Sequence, residues 1–548
     1  MRPNILLTSN QIRGVDGTGG LGDVPVGLAK VLLARGDVDI RLAMPGFAEI
    51  TMDTLEDRFR DEHLVRENLP VPFGSDVLPV NVYEIALPNA EPPVTVYLFR
   101  CPSVFDLVDP ETGRVNKNTP DKAILFSRAV VEFLRAYEPF RVDLVHCNDW
   151  HSGLVPVYLN TIYRNDLYLG RIATLFTSHN AGGDAYQGGF PEERKLLHWA
   201  GLSDAGVFQG GITRSLFHND KFNFLKGGVG FADVFNTVSR QYRQELMTPA
   251  FAGGLEGVFQ ERAHDFTGIV NGIDTAEWDP ACDPVLQQWR FSPEEPLEAI
   301  REKKRQIRGL LREWQIPDPR HPCADRQPYA SLQDESILVG VVSRLDYQKF
   351  PILRRALDRI LDTENVQLAV LGSADRNDPL GRQYEDELRE KAETAPEKLL
   401  FFDGFNIPLS HLIYAASEMF LVPSTFEPCG LTQLVAMRYG SVPLVRSTGG
   451  LVDTVIDEAD PVRGPSATGF CFKEPVVPVR MMDQDTGADA LVVRFRQATQ
   501  LYSNQPQRWN ELIRNGLARD SSWTIPGTQY VKLYHEAIRR SLPRAFFV

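Results

Sequence analysis

Cysteine is scarce. The 548 residues hold six, at Cys101, Cys147, Cys282, Cys323, Cys429 and Cys471, with no C-x-x-C pair. That scatter argues against a disulfide framework or a structural zinc site and fits a reducing compartment, so a cytoplasmic location is expected. Long apolar runs are missing too. The N-terminal MRPNILLTSN has only a three-residue apolar run before polar residues, too short for the core of a signal peptide. No stretch approaches the roughly 18–20 apolar residues of a membrane-spanning helix, so no membrane partner is expected. Positive charge is in deficit: 58 Lys+Arg stand against 72 Asp+Glu, a formal net charge of −14. This excludes a general nucleic-acid or anionic-membrane binder, while a local basic cleft stays allowed. Heptads, low-complexity tracts and short-period repeats are absent.

What is present is ordinary for a globular enzyme: 43% hydrophobic, 24% charged and 10% aromatic residues. At about 150 residues per domain the length suggests three or four domains, or two large ones. A folded surface of roughly 20,000 Å² against roughly 89,000 Å² for the extended chain leaves large cores that need no staples.

Two blocks of alternating strand and helix signals follow one another. The first opens with NILLTS, a glycine-rich loop and an apolar-periodic stretch from Asp23 to Arg35. It continues through strand candidates at 142–146, 173–178 and 234–239, with a helix at 122–137. After a Pro-rich and charged stretch, the second block runs through strand candidates at 337–343, 366–372, 398–404, 418–424 and 441–447. Within the intervening stretch 295–315 reads as a charged amphipathic helix. Such alternation predicts α/β lobes with mostly parallel sheets covered by helices, and ligands at the C-terminal ends of the strands in a crevice between lobes. The expected domains are 1–282, 283–523, and a C-terminal helical segment 524–548 for which a return to the first lobe is one option.

The informative residues follow the strands. GTGGLGDV (17–24) lets backbone approach a ligand ahead of a helix N-terminus, and reads equally as a tight turn. In HCNDWHSGL (146–154), Asp149, Trp150 and His151 suit a sugar grip, or a capped helix with a buried Trp. In SHNAGGDAYQGGF (178–190), His179 and Asn180 end a strand beside a glycine loop, a placement that favours a hydrogen-bonding role. Asn271 of IVNGID suits a substrate hydroxyl or an Asn-Gly turn. Arg344 and Lys349 of SRLDYQK suit a diphosphate, the one as a fork and the other as a point charge, with a solvated pair as the alternative. Glu427 precedes Pro428, Cys429 and Gly430 at a helix opening, and a second glycine turn follows at Ser447, Thr448, Gly449 and Gly450.

Together the runs TGGLGDV, NDWHSGL, FTSHN…AYQG, FNFLKGG, NTVS, VNGID…WDP, VVSRL..QK and FEPCGLTQLVAMRYG…TGGLVDTV, in that order over roughly 4–535, resemble the signature of bacterial glycogen synthases and plant starch synthases. The resemblance implies a GT-B fold, two Rossmann-like lobes facing a deep cleft. It implies retaining transfer of glucose from a nucleotide-glucose, by family habit ADP-glucose, to the non-reducing end of an α-1,4-glucan, with no metal or cofactor. By position it implies that Arg344 and Lys349 hold the donor diphosphate, Glu427 the donor glucose, His179 the sugar near its reacting carbon, and Asp149 the sugar hydroxyls. Gly19, Gly20, Asp23, Asn271, Cys429, Gly430, Leu431, Thr448 and Gly449 would complete the donor site. Trp150, His151 and Tyr186 would face the acceptor. Lobe closure on donor binding is the corresponding expectation.

The chain also departs from that pattern. Gly17 stands where relatives carry Lys before Thr-Gly-Gly-Leu, with Arg13 as the candidate substitute. Thr425 replaces an Arg and Phe350 a Gly, and the loop after Asn180 and the 316–330 stretch look enlarged. An α-glucan synthase, a related transferase with another acceptor or donor, and a glucan-binding pseudoenzyme all remain open. Val435, where a second Glu would mark other large GT-B families, favours the first.

Overall fold

The computed structural model describes residues 2–16, 20–47, 63–87, 90–108, 115–191, 193–202, 216–314, 332–375, 378–473 and 487–542. Gly17, Gly19, Cys323 and the 316–330 stretch lie outside the described residues. Two compact units form: Met1–Gly272 together with Trp523–Val548, and Ile273–Ser522.

The first unit is built on a nine-stranded sheet. In chain order its strands are β1 (Asn4–Thr8), β2 (Asp39–Pro45), β3 (His63–Phe73), β4 (Asp76–Ala86), β5 (Thr95–Arg100), β6 (Leu144–Asn148) and β7 (Ala173–Ser178). A separate small antiparallel sheet holds β8 (Gly189–Phe190), β9 (Phe217–His218) and β10 (Lys221–Asn223), and the main sheet ends with β11 (Val234–Thr237) and β12 (Phe266–Gly268). The spatial order is β12-β11-β7-β6-β1-β2-β5-β4-β3. Seven neighbouring strands run parallel, β4 is antiparallel to β5, and β3 is antiparallel to β4. The parallel strands carry continuous apolar runs because helices cover both faces. β3 is largely exposed, which is why its polar sequence gives no buried-strand signal. The order reverses at β1 and β6, so the loops after Thr8 and Asn148 open at the switch point where such sheets take ligands.

The helix Thr524–Ser541 belongs to this unit, with Tyr530, Tyr534 and Ala537 in the same core as β1 and β2. Its approach requires a glycine at position 27, because a Cβ there would lie 2.2 Å from the Trp523 indole nitrogen.

The second unit is a six-stranded, wholly parallel sheet of β13 (Ile337–Val342), β14 (Val366–Gly372), β15 (Leu399–Asp403), β16 (Met419–Val422), β17 (Val442–Arg446) and β18 (Phe470–Phe472), ordered β15-β14-β13-β16-β17-β18. Its switch point lies between β13 and β16, and the loops that follow these strands carry Arg344 and Glu427. Among the described residues no helix is long and apolar enough to cross a membrane.

Candidate active site

In the first unit, β6 ends in Asn148 and the chain turns sharply at Asp149, whose φ of +54° is left-handed. A non-glycine residue there costs about 1–3 kcal/mol and persists only when its surroundings hold it. They do: the Asp149 N–H donates to the Thr177 carbonyl at 2.9 Å, and its Oδ1 accepts the His179 backbone N–H at 2.7 Å. Burial pushes the Asp149 carboxyl up to about 7, against the backbone N–H groups of His179 and Asn180 that favour the anion.

The His179 ring is fixed from the same turn. Asn148 donates its amide to the Thr8 carbonyl at 3.2 Å, which turns its Oδ1 toward His179 Nε2 at 2.7 Å. The acceptor there can only be met by Nε2–H, so the lone pair sits on Nδ1. Burial lowers the His179 pKa to about 4, so the ring is neutral near pH 7. His179 and Asp149 are thus brought together, with Asn148 as the orienting group. Asn148 was not singled out from sequence, although it adjoins Asp149 in the quoted run.

Trp150 and His151 follow this turn. Their rings stack at 3.9 Å, and Trp150 packs on Phe190 and Phe224. Both are buried, and His151 Nε2 meets Asn118 Oδ1 at 2.9 Å. Burial lowers the His151 pKa to about 3. Tyr186 is half-buried in the short helix Asp184–Gln187. Gly20 opens the helix Gly20–Arg35, whose first-turn Asp23 pairs with Arg13 at 2.7 Å. Arg13, the candidate substitute for the missing lysine, is therefore held by Asp23 at the start of that helix. Asn271 is buried and its Oδ1 has no hydrogen-bond partner among the described residues.

In the second unit, the loop after β13 is organised by Asp346, which accepts the N–H groups of Gln348 (3.0 Å) and Lys349 (2.9 Å) on Oδ1. Arg344 extends outward, 65% exposed, with Asp346 Oδ2 at 3.4 Å. Lys349 is turned inward at 19% exposure and its Nζ pairs with Glu427 Oε2, a carboxylate 7% exposed that also accepts from Ser424 Oγ at 2.9 Å. Arg344 and Lys349 thus differ: the first presents its charge to solvent, the second shares it with Glu427.

Thr425 latches two loops together. Its N–H and hydroxyl both donate to the Gln348 carbonyl, at 2.8 and 3.0 Å, tying the Glu427 loop to the Lys349 loop. Gln348 returns a bond to the Phe426 carbonyl at 3.0 Å, and buried Arg446 from the end of β17 donates to the Thr425 carbonyl. Phe350 is buried against Tyr384 at 5.2 Å. Gln348, Ser424 and Arg446 were not picked out from sequence, since a side chain bonded to a neighbouring loop leaves no local pattern.

Cys429 and Thr448 are buried, and Gly430 and Leu431 half-buried, where the loop enters the seven-residue helix Thr432–Arg438. The second glycine turn backs directly onto it. The Gly450 N–H donates to the Glu427 carbonyl at 3.0 Å, and a Cβ on Gly449 would stand 2.0 Å from that oxygen. Gly449 also has φ +44°, so no other residue fits. The two motifs found separately in sequence form one packed loop pair. Among the described residues no group of three or more His, Cys, Asp or Glu side chains is placed to hold a metal ion.

Residues 4–261 match the family described as the starch synthase catalytic domain, and residues 325–478 match glycosyl transferases group 1. A glycogen synthase of Desulforudis audaxviator is 33% identical, over 98% of this chain and 97% of its own length. One from Pseudothermotoga lettingae is 34% identical, over 95% and 96%. The chain belongs to the glycogen synthase family. The catalytic domain of starch synthase IV from Arabidopsis thaliana, bound to ADP and acarbose, superposes with a TM-score of 0.80 at 27% identity, covering 98% of this chain and 99% of that one. The fold is therefore GT-B, and the activity that of a glycogen synthase family glycosyltransferase extending an α-glucan. In this member of the glycogen synthase family, Thr425 bonds the Glu427 loop to the Lys349 loop.

Proposed function

We propose that the chain transfers glucose with retention from a nucleotide-glucose, ADP-glucose by the family's habit, to the non-reducing end of an α-1,4-glucan in the cytoplasm, with no nucleic-acid or membrane partner. The observation that carries this reading is the loop pair after β13 and β16, where an exposed guanidinium and an ammonium held by a carboxylate stand at the switch point of a parallel sheet.

Arg344 and Lys349 bind the donor diphosphate and stabilise the charge that grows on it as the C1–oxygen bond breaks, the kind of term that usually dominates such catalysis. Glu427, with Ser424 and Lys349 on one oxygen, keeps the other for the hydroxyls of the donor glucose. Gly430, Leu431, Thr448 and Gly449 bring backbone close to the donor, and Cys429 packs beneath them. The acceptor hydroxyl oxygen bonds to C1, and its proton passes to the departing phosphate oxygen. No side chain is required as a covalent nucleophile, and the positive character at C1 is that of an oxocarbenium-like state.

From the first unit, His179 contributes a neutral ring and its backbone carbonyl near the reacting carbon, with Asp149 holding that backbone in place. Gly19, Gly20 and Asp23 meet the donor from the glycine loop, and Asn271 offers its unpartnered oxygen to a sugar or ribose hydroxyl. Tyr186 contacts the glucan, over a floor formed by Trp150 and His151.

The deciding measurement is nucleotide release from ADP-glucose and from UDP-glucose, with and without glycogen. Glycogen-dependent release, faster with ADP-glucose, is expected. Transfer to a small sugar without glycogen would redirect the acceptor assignment. Absence of turnover with every donor would overturn the reading in favour of a glucan-binding protein.

A further inference from the structure

The helix Leu297–Arg312 of the second unit buries Leu297, Ile300, Lys304, Ile307, Arg308 and Leu311 along one face. Two cations therefore occupy positions that an amphipathic helix normally gives to apolar residues, and buried charge needs a partner. Arg308 has its partners: it donates to the carbonyls of Asp334 (2.8 Å) and Ser336 (2.9 Å) and pairs with Glu418. The hydrogen-bond partners of Lys304 among the described residues are neutral, the Tyr439 carbonyl at 3.1 Å and, less directly, Ser441 Oγ at 3.4 Å, and the one carboxylate that acts on its charge, Glu418, is paired with Arg308. Burial pushes its ammonium down to about 7.

A cavity of about 70 Å³ adjoins Lys304. Arg301 and Arg305 line it from the same helix, and Tyr502 and Trp509 from the helices Ala488–Asn504 and Pro506–Ala518. Trp509 is fully buried and its indole N–H has no acceptor among the described residues. Arg301 bonds the Asn510 side-chain oxygen, a neutral partner. The carboxylates that also line the cavity are largely committed: Glu418 to Arg308 and Asp334 to Arg312, leaving exposed Glu335. Among the described residues, one cavity thus gathers a buried amine whose hydrogen-bond acceptors are neutral and whose carboxylate neighbour, Glu418, is already paired with Arg308, an indole donor without an acceptor, and a guanidinium bonded to a neutral amide. Its volume is far below the roughly 300–1,000 Å³ of a site for a whole organic ligand.

We propose that this cavity binds one phosphate-sized anion, inorganic phosphate or the phosphoryl group of a phosphorylated metabolite, between Lys304, Arg301 and the Trp509 N–H. It is separate from the loop pair assigned to the donor diphosphate. The test is isothermal titration of the full chain with inorganic phosphate and with a hexose monophosphate, at ionic strength matched with chloride. Saturable binding of either anion that persists in Arg344→Ala is expected, and the tighter of the two names the source. Lys304→Met and Arg301→Gln should each weaken it about tenfold or more, the scale of one charge-assisted hydrogen bond. Arg301 is at the cavity's half-exposed side, so its variant remains informative if Lys304→Met fails to fold. Proton uptake on binding near pH 8, abolished by Lys304→Met, gives a second readout. Absence of saturable binding, binding unchanged by Arg301→Gln, or binding lost in Arg344→Ala alone would each overturn the proposal, the last by placing the anion at the donor loops.

Discussion

At the scale of single residues, the chemistry rests on how differently two cations five positions apart are held. Arg344 is exposed, so its removal leaves no buried charge behind and its effect reports function. Arg344→Ala is expected to lower kcat/KM by about 10²–10³ while leaving the unfolding midpoint in place, and a change under about threefold would refute its role on the diphosphate. Gly449 is the opposite case. Its φ of +44° and the 2.0 Å approach a Cβ would make to the Glu427 carbonyl leave no room to relax. Gly449→Ala should cost about 2–4 kcal/mol in urea unfolding and disturb Glu427, so activity falls with stability. Both residues were visible in the sequence as parts of motifs. Their contrast was not, because exposure and close approach are properties of the folded loop.

At the scale of elements, the helix Thr524–Ser541 is tied to the sheet by a buried hydrogen-bond chain. The Thr177 hydroxyl gives its proton to Asn236 Oδ1 at 2.6 Å, so it must accept from His146 Nε2–H at 2.7 Å. His146 Nδ1 is then the acceptor for the Tyr534 hydroxyl at 3.0 Å, while the Asn236 amide donates to the Tyr530 hydroxyl at 3.1 Å. Tyr534→Phe leaves a buried ring nitrogen unpaired and should cost about 1–3 kcal/mol, read as earlier loss of the C-terminal helix in hydrogen exchange. The strands and helices themselves were legible. The runs at 173–178 and 366–372 coincide with β7 and β14, and the 295–315 signal contains the helix Leu297–Arg312. The β3–β4 hairpin was not read from the sequence, since β3 is largely exposed and buries only Leu69 and Val71, and the alternation of β4 is confined to a few residues around Val80 and Val82.

At the scale of the whole molecule, buried histidines set the acid limit. Burial lowers His146 and His151 to about 3 and His179 to about 4, against an ordinary value near 6.5. Between about pH 4 and 6.5 the unfolded chain binds three protons that the native one refuses, so stability falls as pH falls. Asp149 works the other way: raised to about 7, it keeps its proton in the native state over that window and favours folding at lower pH. Glu385, raised to about 7 by burial and by the neighbouring Asp403, does the same, so the net difference of about one proton predicts a loss of about 1 kcal/mol per pH unit between pH 6 and 5, to be measured by urea unfolding at pH 7.0, 6.0 and 5.0. A flat profile over that range would contradict the neutral, buried state of these rings.

The sequence by itself determined the alternation of elements, the parallel sheets and the order of the motifs, because periodicity and glycine placement are local and survive without partners. It also pointed to Arg344, Lys349, Glu427, Asp149 and His179, each just after a strand. The tertiary structure decided what those residues do to one another: that Lys349 lies against Glu427, that Asn148 turns His179, and that Thr425 spends its hydroxyl on the neighbouring loop. It likewise decided that the last helix packs with the first unit. Such pairings join residues tens to hundreds of positions apart, and their energy comes from excluding water between surfaces that only the fold brings into contact.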